Sequence, residues 1–397
     1  MTLDIEQLGG FILHRLGRIL KMHWLLFAMV MLLSIAGVFF INSAVYSAYL
    51  SDHEYFKGAA MNQARWIGIG LVAYFFFLMI DYRILPKFGL PMLLIACLLV
   101  VYTQLTQHKV NGARSWLPIP GTGVTLQPAE LVKISYICAL TQVLIFLRPR
   151  IKRLSTICIV GVMGAIPFFL VLQAPDLGSA SVLVPTTLLA LWGAGARKRY
   201  LMLPILGLAA IFAFCYFYIH KEGKHLPFLK TYQENRIRIF FDPTLDRKDA
   251  GWTITQSLIA EGSGGLLGKG YMKGDQNIYG FLPKNIAYND FIFSVIAEEE
   301  GFVGGSLVII SEAVLLLCVI TIAFHATDFE GVVLACAFVG MLLTHFFVNV
   351  GMTMKVVPIT GIPLPFISYG GTFMVACMAG MGIVQSIWIE RQRRPIA

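Results

Sequence analysis

Apolar runs of membrane-crossing length recur along the whole chain, and no other feature restricts its fold so severely. A helix needs about 20 residues to cross a bilayer core. Ten runs fit this length approximately: Trp24–Ile41, Trp66–Ile80, Phe88–Leu105, Pro128–Leu147, Leu154–Leu172, Ser179–Ala194, Tyr200–Ile219, Phe302–Phe324, Gly331–Val350 and Phe366–Ile389. Composition agrees: 57% of the 397 residues are hydrophobic and 13% are charged, with a mean hydropathy of +0.74. A soluble domain carries about 25% charged residues. The expected fold is therefore all-α, a polytopic membrane protein of about ten helices.

The net charge of +9 does not indicate nucleic acid, because the cations form no single basic face. They fall in short clusters between the apolar runs, as membrane topology requires. Arg15, Arg18 and Lys21 precede the first run; Arg83 and Lys87 follow the second; Arg148, Arg150, Lys152 and Arg153 follow the fourth. Arg197, Lys198 and Arg199 follow the sixth, and Arg391, Arg393 and Arg394 end the chain. With ten spans these all lie on one side, which makes both termini cytoplasmic. The chain then divides into 1–219 with the first seven helices, a large extracytoplasmic loop over 220–290, and 291–397 with the last three. The first run is too long, and lacks the small-residue cleavage pattern, for a removable signal peptide. The seven cysteines lie in apolar stretches with no CxxC pair, and the histidines form no HExxH, so neither a disulfide framework nor a metal centre is expected.

Charged residues in or against apolar helices raise functional hypotheses, since each costs about 3 kcal/mol at the bilayer centre. Glu130 and Lys133, three apart at the start of the fourth run, can pair on one helix face. They read as a structural anchor or as a contact for an anionic headgroup. Asp176 stands in the turn before the sixth run, either capping that helix or facing a cavity. Glu312 falls inside the eighth run and is expected to make a polar contact to a neighbouring helix.

The segment from Asp290 to Phe324 would be about 50 Å long as one helix, against a core of about 30 Å. Its first ten residues must lie at the outer interface, or the helix must bend. Asp290 then sits above the membrane surface backed by Phe291 and Phe293. Burial there would raise its pKa and suit it to act as a base; the alternative is a helix cap. Glu298 and Glu299 are expected to pack against basic residues of the long loop. The stretch Gly262-Ser263-Gly264-Gly265-Leu266-Leu267-Gly268-Lys269-Gly270 has Ser263 and Gly270 where a Walker loop needs glycine and Ser or Thr. A backbone lying close to a membrane or a pyrophosphate is the reading left to it.

These motifs together resemble the SEDS family (shape, elongation, division and sporulation), and its RodA-like branch more than FtsW. The resemblance runs from Asn111 to Gly371. It rests on Asn111-Gly112-Ala113-Arg114-Ser115-Trp116, on Gln127–Lys133, on Pro175–Ser179, and on Gly251-Trp252 with Gln256-Ser257-Leu258-Ile259-Ala260. It continues through Gly262–Gly270, Asp290–Gly301 and Pro363-Leu364-Pro365-Phe366-Ile367-Ser368-Tyr369-Gly370-Gly371. Three positions depart from the family pattern: Tyr288-Asn289 stands where His-Thr is usual, and Glu300 where leucine is usual.

The resemblance implies a ten-helix glycosyltransferase that polymerises lipid II, an undecaprenyl-pyrophosphate-linked disaccharide-pentapeptide, during cell elongation. It implies a class B penicillin-binding protein transpeptidase as partner, with other membrane proteins of the elongation complex. The essential carboxylate falls on Asp290, which would take the proton of the attacking sugar hydroxyl. Arg114, Glu130, Lys133 and Asp176 fall on positions lining the family's central cavity. Arg114 and Lys133, with Arg236 or Lys269, would hold the departing pyrophosphate, and Ser368 would bind substrate. Gln256, Ser257, Glu298 and Glu299 would support the site from behind. No cofactor is required, although a divalent cation could share the pyrophosphate. A lipid II flippase and a non-catalytic scaffold that activates the transpeptidase are the competing expectations.

Overall fold

The structure, a computed structural model, describes residues 17–50, 58–105, 116–118, 125–174, 176–221, 231–246 and 249–391. Its main elements are α1 (Trp24–Leu50), α2 (Ala59–Met79), α3 (Gly89–Leu105), α4 (Pro128–Leu147), α5 (Leu154–Gln173), α6 (Leu177–Gly193) and α7 (Lys198–Cys215). Then follow α8 (Thr231–Phe241), α9 (Ala250–Ser263), α10 (Ile292–His325), α11 (Phe329–Thr353) and α12 (Gly371–Glu390). A two-residue hairpin, β1 (Leu117–Pro118) with β2 (Thr125–Leu126), pairs antiparallel just before α4. Among the described residues seven helices are long and apolar enough to cross a membrane: α1, α4, α5, α7, α10, α11 and α12. The apolar α3 and α6 are shorter, and α2 carries Asn62, Gln63 and Arg65 near its start. The chain is an all-α, multi-pass membrane protein.

Close approach of backbones holds the bundle together, as small residues permit between membrane helices. A Cβ on Gly382 of α12 would stand 2.3 Å from the Tyr74 carbonyl of α2, and one on Gly340 of α11 would stand 2.6 Å from the Thr186 Cα of α6. The most apolar stretch of α12 is 89% buried and that of α7 only 12%. The former is thus a central strut and the latter a peripheral helix. At one end of the bundle Arg18 bonds Glu390 at 2.7 Å, Leu78 O at 3.1 Å and Ser386 Oγ at 3.3 Å. Beside it Arg83 Nε meets Asp328 at 2.7 Å. Burial works against ionisation of Asp328, but the Gly331 amide, the Tyr82 hydroxyl and Arg83 outweigh it and hold its carboxyl below the usual range.

Several helix ends differ from the sequence reading. α1 runs on to Leu50 and α2 begins at Ala59. α12 starts at Gly371 instead of Phe366, because Pro365 to Ile367 form a turn in which Phe366 takes φ +60°. The long segment after Asp290 does bend: Gly301, at φ +64° and ψ −160°, interrupts α10. Only glycine adopts such a conformation readily. Glu312 makes no side-chain hydrogen bond to a neighbouring helix among the described residues. It is fully buried, and neither carboxylate oxygen has a hydrogen-bond partner among the described residues.

Candidate active site

Asp290 lies between the short helix Lys284–Ala287 and the start of α10. The residue that caps α10 is Phe291, with no side-chain cap bond, so Asp290 is not the N-cap. The half-buried carboxyl rests on the loop between α11 and α12, where Gly361 has φ +72°. A Cβ on Gly361 would stand 3.2 Å from Asp290 Oδ2. The preceding carbonyl, Thr360 O, accepts from Arg236 Nη1 at 3.2 Å. α6 closes the other flank: a Cβ on Gly178 would stand 2.9 Å from Thr360 O. One turn of loop therefore gathers Asp290, Arg236 and the start of α6.

Asp176, at that start, caps α6 and holds Gln127. Its Oδ1 accepts from Ser179 N at 2.8 Å as the N-cap of α6, and its Oδ2 accepts from Gln127 Nε2 at 2.9 Å. Burial pushes the Asp290 carboxyl up to about 6, the Asp176 charge adds to the rise, and Arg236 opposes it. A carboxyl in that range is ionised at neutral pH and still basic enough to accept a proton.

Beside Gln127 begins an apolar cavity of about 430 Å³. Trp66, Ile69, Met92, Leu99, Leu131 and Val375 line it, from α2, α3, α4 and α12. Thr125 and Leu126 of β2 also line it, and the next residue, Gln127, donates its N–H to the Oγ1 of Thr372, another lining residue, at 3.3 Å. The shelf that bears Asp290 and this greasy slot are thus joined by one residue, Gln127, through Asp176.

Sequence comparison places this arrangement in a known group. The family described as cell cycle protein FtsW/RodA/SpoVE matches residues 23–393. The chain belongs to this family. It is 34% identical to peptidoglycan glycosyltransferase RodA of Treponema pallidum, over 91% of this chain and 96% of the relative. It is 31% identical to stage V sporulation protein E of Bacillus subtilis, over 87% of this chain and 90% of that one. Its fold matches a chain of a peptidoglycan synthase complex whose structure addresses coordination of polymerization and crosslinking. That match has a TM-score of 0.74 and 26% identity over 94% of this chain and 99% of the other. RodA of Thermus thermophilus shares the fold, with a TM-score of 0.66 and 24% identity over 93% and 97% of the two chains.

The other residues of this FtsW/RodA/SpoVE protein singled out from sequence fall into three groups. Glu130 and Lys133 pair at 2.7 Å and are each 2% exposed, with Lys133 Nζ also 3.0 Å from His345 Nε2. They stand behind the shelf, not on its surface. Ser368 is buried in the loop, where its Oγ donates to Asn289 O at 2.6 Å and accepts from Leu364 N at 2.8 Å. Arg114 lies outside the described residues.

The third group is the glycine-rich stretch and the glutamates. Lys269 Nζ bonds Glu298 at 2.7 Å and Asp275 at 3.0 Å, and Glu299 accepts from Ser43 Oγ at 2.5 Å. The stretch lies against the α10 backbone: Lys269 N and Gly270 N donate to Glu298 O and Glu299 O at 3.1 and 2.8 Å. Its glycines are needed for that approach, since a Cβ on Gly268 would stand 2.0 Å from Glu299 O. Lys269 and Glu298 lie about two turns into α10 from the Asp290 shelf. Ser257 Oγ meets Ser294 Oγ at 2.7 Å and donates to Thr353 O at 3.0 Å, which pins α9 to α10 and α11. Gln256 is buried one residue before it. Glu261, on the same helix, is pushed up to about 7 by burial, against neighbouring hydroxyls, of which Ser294 Oγ donates to it at 3.1 Å.

Sequence reasoning passed over Asn349, His345, Gln127 and Gly361. The first two sit in an apolar run; Asn349 bonds the carbonyls of Asp290 and Ile362, and His345 bonds the Pro363 carbonyl and Lys133 Nζ, partners that lie outside their own helix. The available signal was their spacing of four, which puts two polar side chains on one face of a hydrophobic helix.

Proposed function

We propose that this protein is a peptidoglycan glycosyltransferase that joins lipid II units into glycan strands at the outer face of the cytoplasmic membrane, serving elongation. Asp290 is the general base in this reading. It draws the proton from a sugar 4-hydroxyl as that oxygen attacks the anomeric carbon of the second substrate and undecaprenyl pyrophosphate departs. The observation that carries the reading is the half-buried Asp290 carboxyl, lifted to about 6 at the junction of Gly361, Asp176 and Arg236.

The other groups follow from charge and polarity. Arg236 is a cation whose field reaches Asp290, and its planar fork suits the leaving pyrophosphate; Arg114, from the preceding motif, shares that task. Glu130 and Lys133 support the shelf from beneath. The cavity of about 430 Å³ beside Gln127 suits an undecaprenyl chain, because its lining is almost wholly apolar. In this reading the chain has ten spans and cytoplasmic termini, as the clusters of lysine and arginine suggest, and the shelf lies on the outer side. The partner is a class B penicillin-binding protein transpeptidase, in keeping with a relative that belongs to a synthase complex coordinating polymerization and crosslinking.

The test is purified protein given lipid II without an energy source or transpeptidase. The proposal expects glycan strands to form. Transport of lipid II across vesicles with no strand synthesis would favour the flippase instead, and neither activity would favour a scaffold.

A further inference from the structure

Two polar residues four apart on α11, His345 and Asn349, are fully buried, and their hydrogen bonds converge on the loop beneath Asp290. Asn349 Nδ2 donates to Asp290 O at 2.9 Å and to Ile362 O at 2.8 Å. Carbonyl oxygens only accept, so these partners fix the amide's orientation and use both of its N–H bonds. Its Oδ1 is left buried with no partner among the described residues. The whole hydrogen-bonding use of Asn349 is therefore to tie two backbone segments together. One precedes α10 and carries Asp290; the other contains Gly361, on which the carboxyl rests.

His345 does the same at the next residue of the loop. Its Nδ1 lies 3.1 Å from Pro363 O and its Nε2 lies 3.0 Å from Lys133 Nζ. A carbonyl can only accept and an ammonium can only donate. The ring is thus the neutral tautomer with its hydrogen on Nδ1, accepting from Lys133 at Nε2. The Phe373 ring lies 4.6 Å from that of His345 and 5.2 Å from Lys133 Nζ. One helix face consequently reads the consecutive carbonyls of Ile362 and Pro363 and connects them to the Glu130–Lys133 pair.

We propose that Asn349 and His345 are positioning residues for the reaction: together they fix the backbone on both sides of the Asp290 carboxyl and couple its placement to Lys133. The proposal rests on the reading of Asp290 as general base. Loss of the Asn349 tether lets the Asp290 segment and the Gly361 loop separate, so that the carboxyl moves and gains water. Misplacing a reacting group by 1 Å can cost about 10²-fold in rate. A carboxyl that regains water also titrates at lower pH.

The experiment measures strand synthesis from lipid II by purified full-length Asn349→Leu, His345→Leu, His345→Asn and Asp290→Asn. For Asn349→Leu we expect kcat lowered by about 10²-fold with KM little changed, and the acid limb of kcat/KM displaced to lower pH than in the parent. His345→Leu should move both in the same direction and carries the test should Asn349→Leu fail to accumulate in membranes. His345→Asn, whose amide can still donate to Pro363 O, should restore most of the acid limb. Folded Asn349→Leu or His345→Leu with the parent kcat and acid limb, beside an inactive Asp290→Asn, would overturn the positioning role alone. An active Asp290→Asn would remove the base and this proposal with it.

Discussion

Replacing Gly361 by alanine isolates the support under Asp290. Gly361 has φ +72°, a conformation that costs an L-residue roughly 1–2 kcal/mol. The added Cβ would stand 3.2 Å from Asp290 Oδ2 and 3.9 Å from its Cγ, and ordinary contact begins at 3.4 Å. The carboxyl must therefore retreat by about 0.2 Å, and further if the loop relaxes toward negative φ. With a full 1 Å worth about 10²-fold, we expect kcat to fall roughly two- to tenfold with a smaller change in KM. Gly195→Ala is the control. Gly195 has φ +84° with no atom within 4 Å of a built Cβ, so it suffers the same backbone penalty without touching Asp290. The assay is steady-state polymerisation of lipid II by the two purified variants, with thermal melting of each. Full kcat in Gly361→Ala, or an equal loss in Gly195→Ala, would refute the claim that the loop sets the position of the carboxyl.

Three further outcomes follow from other parts of the fold. kcat/KM should rise with pH through about 6, because burial raises Asp290 to that value and the base works only when ionised; a flat profile from pH 5 to 7, measured with lipid II, would contradict this. Glu390→Gln should destabilise the protein by about 3 kcal/mol, because it leaves Arg18 buried without the carboxylate 2.7 Å away; an unchanged melting temperature would show the pair to be dispensable. Gly268→Ala should lower stability and detach the glycine-rich stretch from α10, since its Cβ would stand 2.0 Å from Glu299 O at φ +77°; hydrogen exchange at Lys269 and Gly270 reports the detachment, and unaltered protection there would argue against it.

Much of the architecture was legible because membrane helices announce themselves by length and polarity. The segment after Asp290 is too long for one straight span, so it had either to start at the outer interface or to bend, and Gly301 interrupts it. Lys269 was foreseeable as a partner for Glu298, since a charge buried in an apolar helix needs an opposite one. The glycine-rich stretch was harder to read. Glycine signals close approach but not what is approached, and here it is the backbone of Glu298–Gly301 in place of a phosphate. Asn349 and His345 escaped notice because each serves carbonyl oxygens, which every residue possesses and which leave no trace in sequence. The Arg18–Glu390 pair joins positions 372 apart, and nothing local in either segment points to the other.

The account stands or falls on the proton-accepting role of one carboxyl. Asp290→Asn keeps the shape of the side chain and removes its basicity, and a positioned base contributes about 10²–10⁴-fold. Purified in detergent and supplied with lipid II at neutral pH, that variant should lose strand synthesis by at least the lower figure while melting close to the parent protein. Glycan made by Asp290→Asn at the parent rate would contradict the account.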